Sequence, residues 1–209
     1  MIANKRAGKL FVISGPSGAG KGTISRRLIE ESEPGEMALS ISMTTRAPRD
    51  GEEDGISYYF VTMETFLETI EDGGFLEHAE VYGNRYGTPK AMVLEQLEAG
   101  VDVVLEIDIQ GARNVKKVYP DGVFIFILPP SMEVLRQRLT GRGTDSPETI
   151  ELRLSKTREE LTAMKDYDYV VVNGDLTEAM DCVKSIVTAE HSRVADNMEE
   201  LLKGYREEI

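Results

Sequence analysis

The chain has 209 residues, of which 41% are hydrophobic and 29% charged, and its formal net charge at pH 7 is −13. This composition is typical of a folded globular protein and unlike that of disordered, collagenous or coiled-coil chains. Because excess acidic charge repels polyanions, nonspecific binding to nucleic acid or to anionic membranes is disfavoured. An anionic ligand would therefore have to be held by a local cluster of positive charge.

Further classes of protein are excluded by what the chain lacks. No apolar run reaches the roughly 18 residues that a membrane-spanning helix needs, and the apolar residues 10–13 are too short for a signal peptide. The single cysteine, Cys182, cannot form an intrachain disulfide, which predicts a reducing compartment such as the cytoplasm. With only His78 and His191 beside it, soft ligands are too few for a structural zinc site.

The first residues have the pattern of a βαβ unit. Residues 9–13 predict a short buried strand, which runs into the glycine-rich segment GPSGAGKGT at residues 15–23. Apolar residues 24, 28 and 29 follow at helical spacing, and Pro34-Gly35 ends the pattern.

The pattern of apolar and turn residues changes over residues 40–87, which predicts an insertion in the α/β fold. They contain short alternating pieces, such as residues 56–61, and one helix whose apolar face includes Phe66 and Ile70. Thr88 is then predicted to cap a helix with Pro89 in its first turn, ending at Gly100.

The α/β pattern resumes after the insertion. Residues 101–107 and 123–128 are rich in valine, isoleucine and leucine, as in strands buried on both faces of a parallel sheet. Helices are predicted over residues 131–139 and from Ser146 to about residue 164, joined by a loop that carries Arg142 between two glycines. A last strand at residues 169–172 and a closing helix complete the chain.

The glycine-rich segment meets the phosphate-loop pattern G-x-x-x-x-G-K at Gly15, Gly20 and Lys21, between a strand and a helix. Glycines let backbone amides surround phosphate oxygens, and Lys21 adds a full positive charge. Gly22 stands where a Ser or Thr usually contacts magnesium, and Thr23 comes next, so a metal would be held through water. A dinucleotide fingerprint, a serine-hydrolase elbow and the N-K-x-D motif of regulatory GTPases all fail on the residues present.

A second positive cluster lies in the insertion. Arg46 and Arg49 are three residues apart beside Pro48, and Tyr58 follows a glycine-containing turn. Paired guanidiniums on a stiffened loop are suited to bidentate capture of a phosphate.

From residue 9 to about residue 173 the sequence resembles guanylate kinases of the nucleoside monophosphate kinase group. The stretches that carry the resemblance are GPSGAGKGT, SMTTRAPRDGEEDGISYYF, FLEHAEVYGNRYGT, VVLEIDIQGA, FILPPS and LTGRGTDSPE. The resemblance implies an enzyme that transfers the γ-phosphoryl group of ATP to GMP with Mg²⁺, and dGMP is a further acceptor to consider. It implies neither a nucleic-acid nor a membrane partner, and it leaves the oligomeric state open.

The resemblance also implies roles for individual residues. The ATP site would contain Gly15, Pro16, Ser17, Gly18, Ala19, Gly20, Lys21, Gly22, Thr23, Arg138 and Asn173. The GMP site would contain Ser42, Arg46, Arg49, Tyr58, Glu77, Tyr86, Gly87, Thr88 and Asp108. Catalysis would rest on Lys21, Arg46, Arg142 and Arg153, and a metal would lie near Glu106 or Thr23 through water.

The implied fold is a P-loop kinase core, with a parallel sheet flanked by helices, an inserted α+β monophosphate-binding subdomain and a helical lid. We assign residues 1–39, 88–130 and 165–209 to the core, 40–87 to the GMP-binding subdomain and 131–164 to the lid region. A phosphate acceptor with a second pKa near 6 is mostly dianionic at neutral pH, so no general base is expected. Two alternatives stay open, namely a non-catalytic guanylate-kinase-like binding module and a kinase of another nucleoside monophosphate.

Overall fold

The structure is a computed structural model that describes residues 7–49, 51–81, 83–141, 146–194 and 202. Within these residues the strands are β1 Leu10–Ser14, β2 Met37–Leu39, β3 Met43–Thr44, β4 Tyr59–Phe60, β5 Phe75–Val81, β6 Asn84–Pro89, β7 Asp102–Glu106, β8 Val123–Leu128 and β9 Tyr169–Val172. The helices are α1 Lys21–Glu30, α2 Met63–Glu71, α3 Lys90–Glu98, α4 Ile109–Val118, α5 Met132–Thr140, α6 Pro147–Glu160 and α7 Leu176–His191, with a 3₁₀ helix at Leu161–Asp166.

The core of the molecule is a five-stranded parallel sheet in the order β2-β7-β1-β8-β9. All five residues of β1 are buried, and alternate side chains enter different hydrophobic clusters. Phe11 and Ile13 pack with residues of α1 and α7, whereas Leu10 and Val12 pack with residues of α3 and α4. Helices therefore cover both faces, which confirms the predicted α/β class and explains the unbroken apolar runs.

A second, four-stranded sheet lies in the insertion in the order β4-β3-β6-β5. It is mixed, because β3 pairs in parallel with β4 and antiparallel with β6. Helix α2 packs on it through Phe66, whose ring stacks on Phe75 with 4.6 Å between centroids. A Cβ at Gly87 would lie 2.8 Å from the Phe75 ring, so only glycine lets these rings sit against β6.

Helices α5 and α6 form a small separate core of Leu135, Leu139, Ile150 and Leu154. Both helices begin with a serine cap: Ser131 accepts from the amide of Val134, and Ser146 does the same at the start of α6.

Several local predictions differ from the structure. Pro89 is the N-cap of α3 in extended conformation, so Thr88 lies within strand β6 and does not cap the helix. Helix α6 ends at Glu160 and continues only as a 3₁₀ turn. Strands β2, β3, β5 and β6 and helix α4 were not predicted.

At the end of the sheet where β1 and β7 begin, a buried hydrogen-bonded pair of side chains ties α7 to the core. His191 Nε2 lies 2.6 Å from Asp102 Oδ2, and the Lys9 amide donates to Asp102 Oδ1 at 2.8 Å. None of the described helices is long and apolar enough to cross a membrane.

Candidate active site

The loop between β1 and α1 is shaped by three glycines in the left-handed region. Gly15, Gly18 and Gly20 have φ values of 141°, 88° and 98°, which residues with a Cβ rarely adopt. Lys21 begins α1, and its Nζ donates to the carbonyl oxygens of Gly15 at 2.7 Å and Pro16 at 3.0 Å. The lysine ammonium is therefore held across the loop, beside the positive end of the helix dipole.

The loop is braced from behind by the last strand and by α5. Asn173, which follows β9, donates from Nδ2 to the Ala19 carbonyl at 2.8 Å. The backbone carbonyl of Asn173 accepts a hydrogen bond from Arg138 Nη2 at 2.9 Å. A Cβ at Gly20 would lie 2.2 Å from Asn173 Nδ2, so this close approach requires glycine.

Helix α6 also reaches the loop. Arg153 Nη1 donates to Ser17 Oγ at 2.6 Å. Of the four predicted cations of the ATP side, Lys21 and Arg153 thus contact the loop directly, and Arg138 is linked to it through Asn173. The fourth, Arg142, lies outside the described residues.

A cleft of about 360 Å³ opens beside the loop, and Glu106 at the end of β7 lies in it. A Cβ at Gly22 would lie 3.2 Å from Glu106 Oε1, so the missing side chain leaves room for the carboxylate. Partial burial of its carboxyl raises the pKa of Glu106, while the nearby positive charges of Lys21 and Arg26 oppose that rise. The other residues lining the cleft are Ser17, Gly18, Gly20 and Thr23.

Arg26 was missed from the sequence, although a signal existed. It lies one helical turn after Gly22, and residues four apart share a face of a helix. The described residues hold no group of three or more His, Cys, Asp or Glu side chains that could bind a metal on their own. A cation here would need phosphate oxygens or water as further ligands, which suits Glu106 and Thr23 as partners of a metal–nucleotide complex.

In the insertion, Arg46 is held on several sides. Its Nη2 lies 2.9 Å from both carboxylate oxygens of Glu52, and its Nη1 donates to the Ala47 carbonyl at 2.7 Å. The guanidinium carbon lies 5.5 Å from the centroid of the Tyr58 ring and 6.0 Å from that of Phe60. The fixed orientation of this cation is suited to binding a phosphate group.

The other predicted phosphate-binding residues of the insertion lie around Arg46. The Tyr58 and Tyr86 rings meet edge to face, with 5.9 Å between centroids. Hydrogen bonding to Glu52 raises the pKa of Arg46, and Tyr86 adds to this rise while burial opposes it. Arg49 has an exposed side chain, and its amide donates to Glu52 Oε2 at 2.8 Å.

A buried carboxylate lies where β5 and β6 pair. Glu77 is 9% exposed, and its Oε1 accepts from Thr88 Oγ1 at 2.9 Å. Burial raises the pKa of Glu77; the hydrogen bond from Thr88 opposes this, and the charge of Asp108 adds to it. A Cβ at Gly111 would lie 3.1 Å from Glu77 Oε2, so the absent side chain lets α4 approach the carboxylate.

Asp108 and Ser42 complete this group. Asp108 Oδ1 caps α4 by accepting a hydrogen bond from the Gly111 amide at 2.7 Å. This capping role of Asp108 was not predicted from the sequence. Ser42 immediately precedes β3, whose Met43 pairs with Gly87. Strand pairing thus places Gly87 beside Met43 and Thr88 beside Glu77.

Comparisons with known proteins agree on one family. The family model described as guanylate kinase matches residues 7–190. A guanylate kinase of Caldanaerobacter subterraneus subsp. tengcongensis is 54% identical over 205 residues, and one of Clostridioides difficile is 48% identical over 204 residues, each alignment covering 98% of both chains. The crystal structure of guanylate kinase from Anaplasma phagocytophilum superposes with a TM-score of 0.74 at 36% identity, covering 95% of both chains. Because family, relatives and structure agree over nearly its whole length, the chain belongs to the guanylate kinase family.

Proposed function

We propose that this chain transfers the γ-phosphoryl group of ATP to GMP, giving ADP and GDP. The observation that carries the proposal is made where β7 ends. Glu106 and Asp108, two residues apart, face the two different sites. Glu106 lies against Gly22 of the phosphate loop. Asp108 instead lies beside Glu77, and both carboxylates are close to Gly111 of α4. A donor held by the loop and an acceptor held by the insertion would meet across this short segment.

The donor site in this proposal is the loop of residues 15–23. Lys21 would neutralise the phosphates of ATP, and Arg153 would reach the transferring group from α6. Arg138 and Asn173 would line the ATP site, supported by their hydrogen bonds to each other and to the loop. Arg142 keeps the same proposed role from the sequence alone.

In the acceptor site, the GMP phosphate would be bound by Arg46, Arg49, Tyr58 and Tyr86. The guanine ring would be recognised by Ser42, Glu77, Gly87, Thr88 and Asp108. Guanine presents N–H donors at N1 and N2, which carboxylates accept, whereas adenine has an acceptor at N1 and no donor at C2. An adenine in this pocket would offer the buried Glu77 carboxylate no donor beyond Thr88, which is the costly case.

Mg²⁺ fits the cleft beside the loop. Glu106 and Thr23 would hold it, at least in part through water, because Gly22 supplies no hydroxyl. When bound, the ion would neutralise charge on the transferring phosphates.

The reaction needs no proton abstraction by the protein. An oxygen of the dianionic GMP phosphate attacks the γ-phosphorus, a new P–O bond forms, and the bond to the β–γ bridging oxygen breaks to leave ADP. The work of the protein is to bring two anions together in line and to keep water out. Residues 131–164 are the proposed lid that closes over the phosphates, and residues 40–87 the proposed GMP-binding subdomain.

The test is ADP formation from ATP and Mg²⁺ with GMP, dGMP, AMP, UMP and dTMP in parallel, and with no acceptor as control. We expect GMP to be used far better than AMP, UMP or dTMP, with little ADP formed without an acceptor. Preference for another monophosphate would contradict the guanine assignment. Binding of GMP without turnover would instead show a binding module.

A further inference from the structure

Among the residues that the structure describes, Glu52 is the one acidic side chain in contact with Arg46, and the proposed function leaves it unused. It lies six residues after Arg46 in the same loop, and the two side chains are 21% and 14% exposed. An ion pair this enclosed is screened less by water and salt than one on the open surface.

The contacts of Glu52 join the two arginine positions. Its carboxylate accepts from Arg46 Nη2 through both oxygens, at 2.9 Å each, and its Oε2 also accepts from the Arg49 amide at 2.8 Å. One side chain therefore fixes the direction of the Arg46 guanidinium and the backbone conformation at Arg49.

The pair leaves part of the guanidinium for a second anion. An arginine has five N–H donors, and Glu52 engages only the Nη2 end. Because Ala47 takes one Nη1 donor and the Tyr58 and Phe60 rings lie beside the cation, the guanidinium is held with its remaining donors in a fixed direction.

Glu52 is also ionised in this arrangement. The hydrogen bond from Arg46 lowers the pKa of its carboxyl, and the Arg49 amide lowers it further. A carboxylate that only competed with phosphate for Arg46 would not need the Arg49 amide. That second contact favours a role in holding the loop ready for the ligand.

We propose that Glu52 is a positioning residue for the acceptor phosphate, which fixes Arg46 and the Arg49 backbone before GMP binds. This inference rests on the proposed role of Arg46 in binding that phosphate. A preorganised cation loses less conformational freedom on binding, so its loss should weaken phosphate binding without touching the base.

The experiment is a double-mutant cycle on the whole chain with Glu52→Ala, Arg46→Ala and the combination. Dissociation constants are measured for GMP and for guanosine, which lacks the phosphate. We expect Glu52→Ala to weaken GMP binding by about tenfold, the size of one charged hydrogen bond, and to leave guanosine binding within about twofold. In the Arg46→Ala background the added loss should shrink to about twofold or less.

Two further variants separate position from charge. Glu53→Ala removes the same charge from the next residue, which is exposed, and should leave GMP binding unchanged. Glu52→Gln keeps an oxygen for the Arg49 amide and should fall between wild type and Glu52→Ala. In turnover assays the KM for GMP should rise while the KM for ATP stays constant.

Three results would overturn the proposal. Unchanged or tighter GMP binding by Glu52→Ala would make Glu52 a bystander or a competitor. An equal loss for guanosine would show a general disturbance of the insertion, and an undiminished loss in the Arg46→Ala background would separate Glu52 from Arg46. If Arg46→Ala alone left GMP binding intact, the assignment of the phosphate site itself would fail, a result the cycle reports separately.

Discussion

At the scale of single residues, the chain places one carboxylate in a costly position. Glu77 on β5 is buried beside β6 and α4, and only Thr88 is seen to donate to it among the described residues. Burial raises its pKa, so folding favours the neutral form. This cost to the unliganded protein is offset when a ligand with N–H donors enters.

Glu77→Gln should therefore separate activity from stability. The amide still accepts one hydrogen bond but presents donors to the donors of guanine, so GMP use should fall by about 10²- to 10⁴-fold. Kinetics with GMP and ATP varied in turn would check this, and the KM for ATP should not change. Full GMP activity with selectivity against AMP intact would end the assignment of Glu77 to guanine.

The same variant should be more stable than the wild type at neutral pH. Because the folded pKa of Glu77 is raised, the stability that its neutral form provides is lost as pH rises through that pKa, and glutamine does not lose it. Each kcal/mol recovered would raise Tm by about 2 to 4 °C for a chain of this size. Melting curves from pH 8 to pH 4 should show the gain shrinking as pH falls; a constant gain would point to another cause.

Lys21 offers a test on the donor side. Lys21→Met keeps the length of the side chain but removes the charge held across the loop, so turnover should fall by about a thousandfold. Circular dichroism should show an intact fold, since α1 keeps its packing through Ile24 and Leu28. Near-normal turnover would contradict a role for Lys21 at the transferring phosphoryl group.

At the scale of helices and strands, α6 carries a residue that reaches the loop from a distant part of the sequence. Arg153→Ala should lower kcat strongly and change the KM for GMP little, because its contact is with Ser17 on the donor side. We expect the same pattern for Arg142→Ala. Arg158→Ala, an exposed change on the same helix, is the matched control. A defect confined to the KM for GMP would argue against this role.

The stacked rings under β6 give a second test at this scale. Gly87→Ala would place a methyl 2.8 Å from Phe75 and 3.1 Å from Phe66, and such overpacking typically costs about 1 to 3 kcal/mol. Urea titration should show a lower midpoint. An unchanged midpoint would mean that the rings move apart at little cost.

The same helices and strands show which parts of the fold could be predicted from the sequence. Strands β1, β7 and β8 were predicted because unbroken apolar runs mark strands covered on both faces, and the loop because its glycines and lysine are local. Strand β2 was missed because three residues give no periodicity. Glu52 and Gly111 were missed as site residues because their partners come close only in the folded chain, which no local pattern records.

At the scale of the whole molecule, the chemistry gathers where parallel strands end. The phosphate loop follows β1, Glu106 ends β7, Asp108 comes two residues later as the N-cap of α4, and Asn173 follows β9. The buried pair of His191 and Asp102 lies at the opposite edge and ties α7 to the sheet. Because the whole chain has a net charge of −13, only the local cations can attract anionic substrates.

The position of β1 has a consequence for the order in which the protein comes apart. This strand lies between β7 and β8 with all five residues buried, so its amides should exchange with deuterium only on global unfolding. Strands β3 and β4 have two residues each, so their amides should exchange through local unfolding of the insertion. In rising urea, binding of GMP should therefore be lost before binding of a fluorescent ATP analogue, whereas simultaneous loss would mean one cooperative unit. A partly unfolded molecule would still take up its phosphoryl donor after it had lost the acceptor.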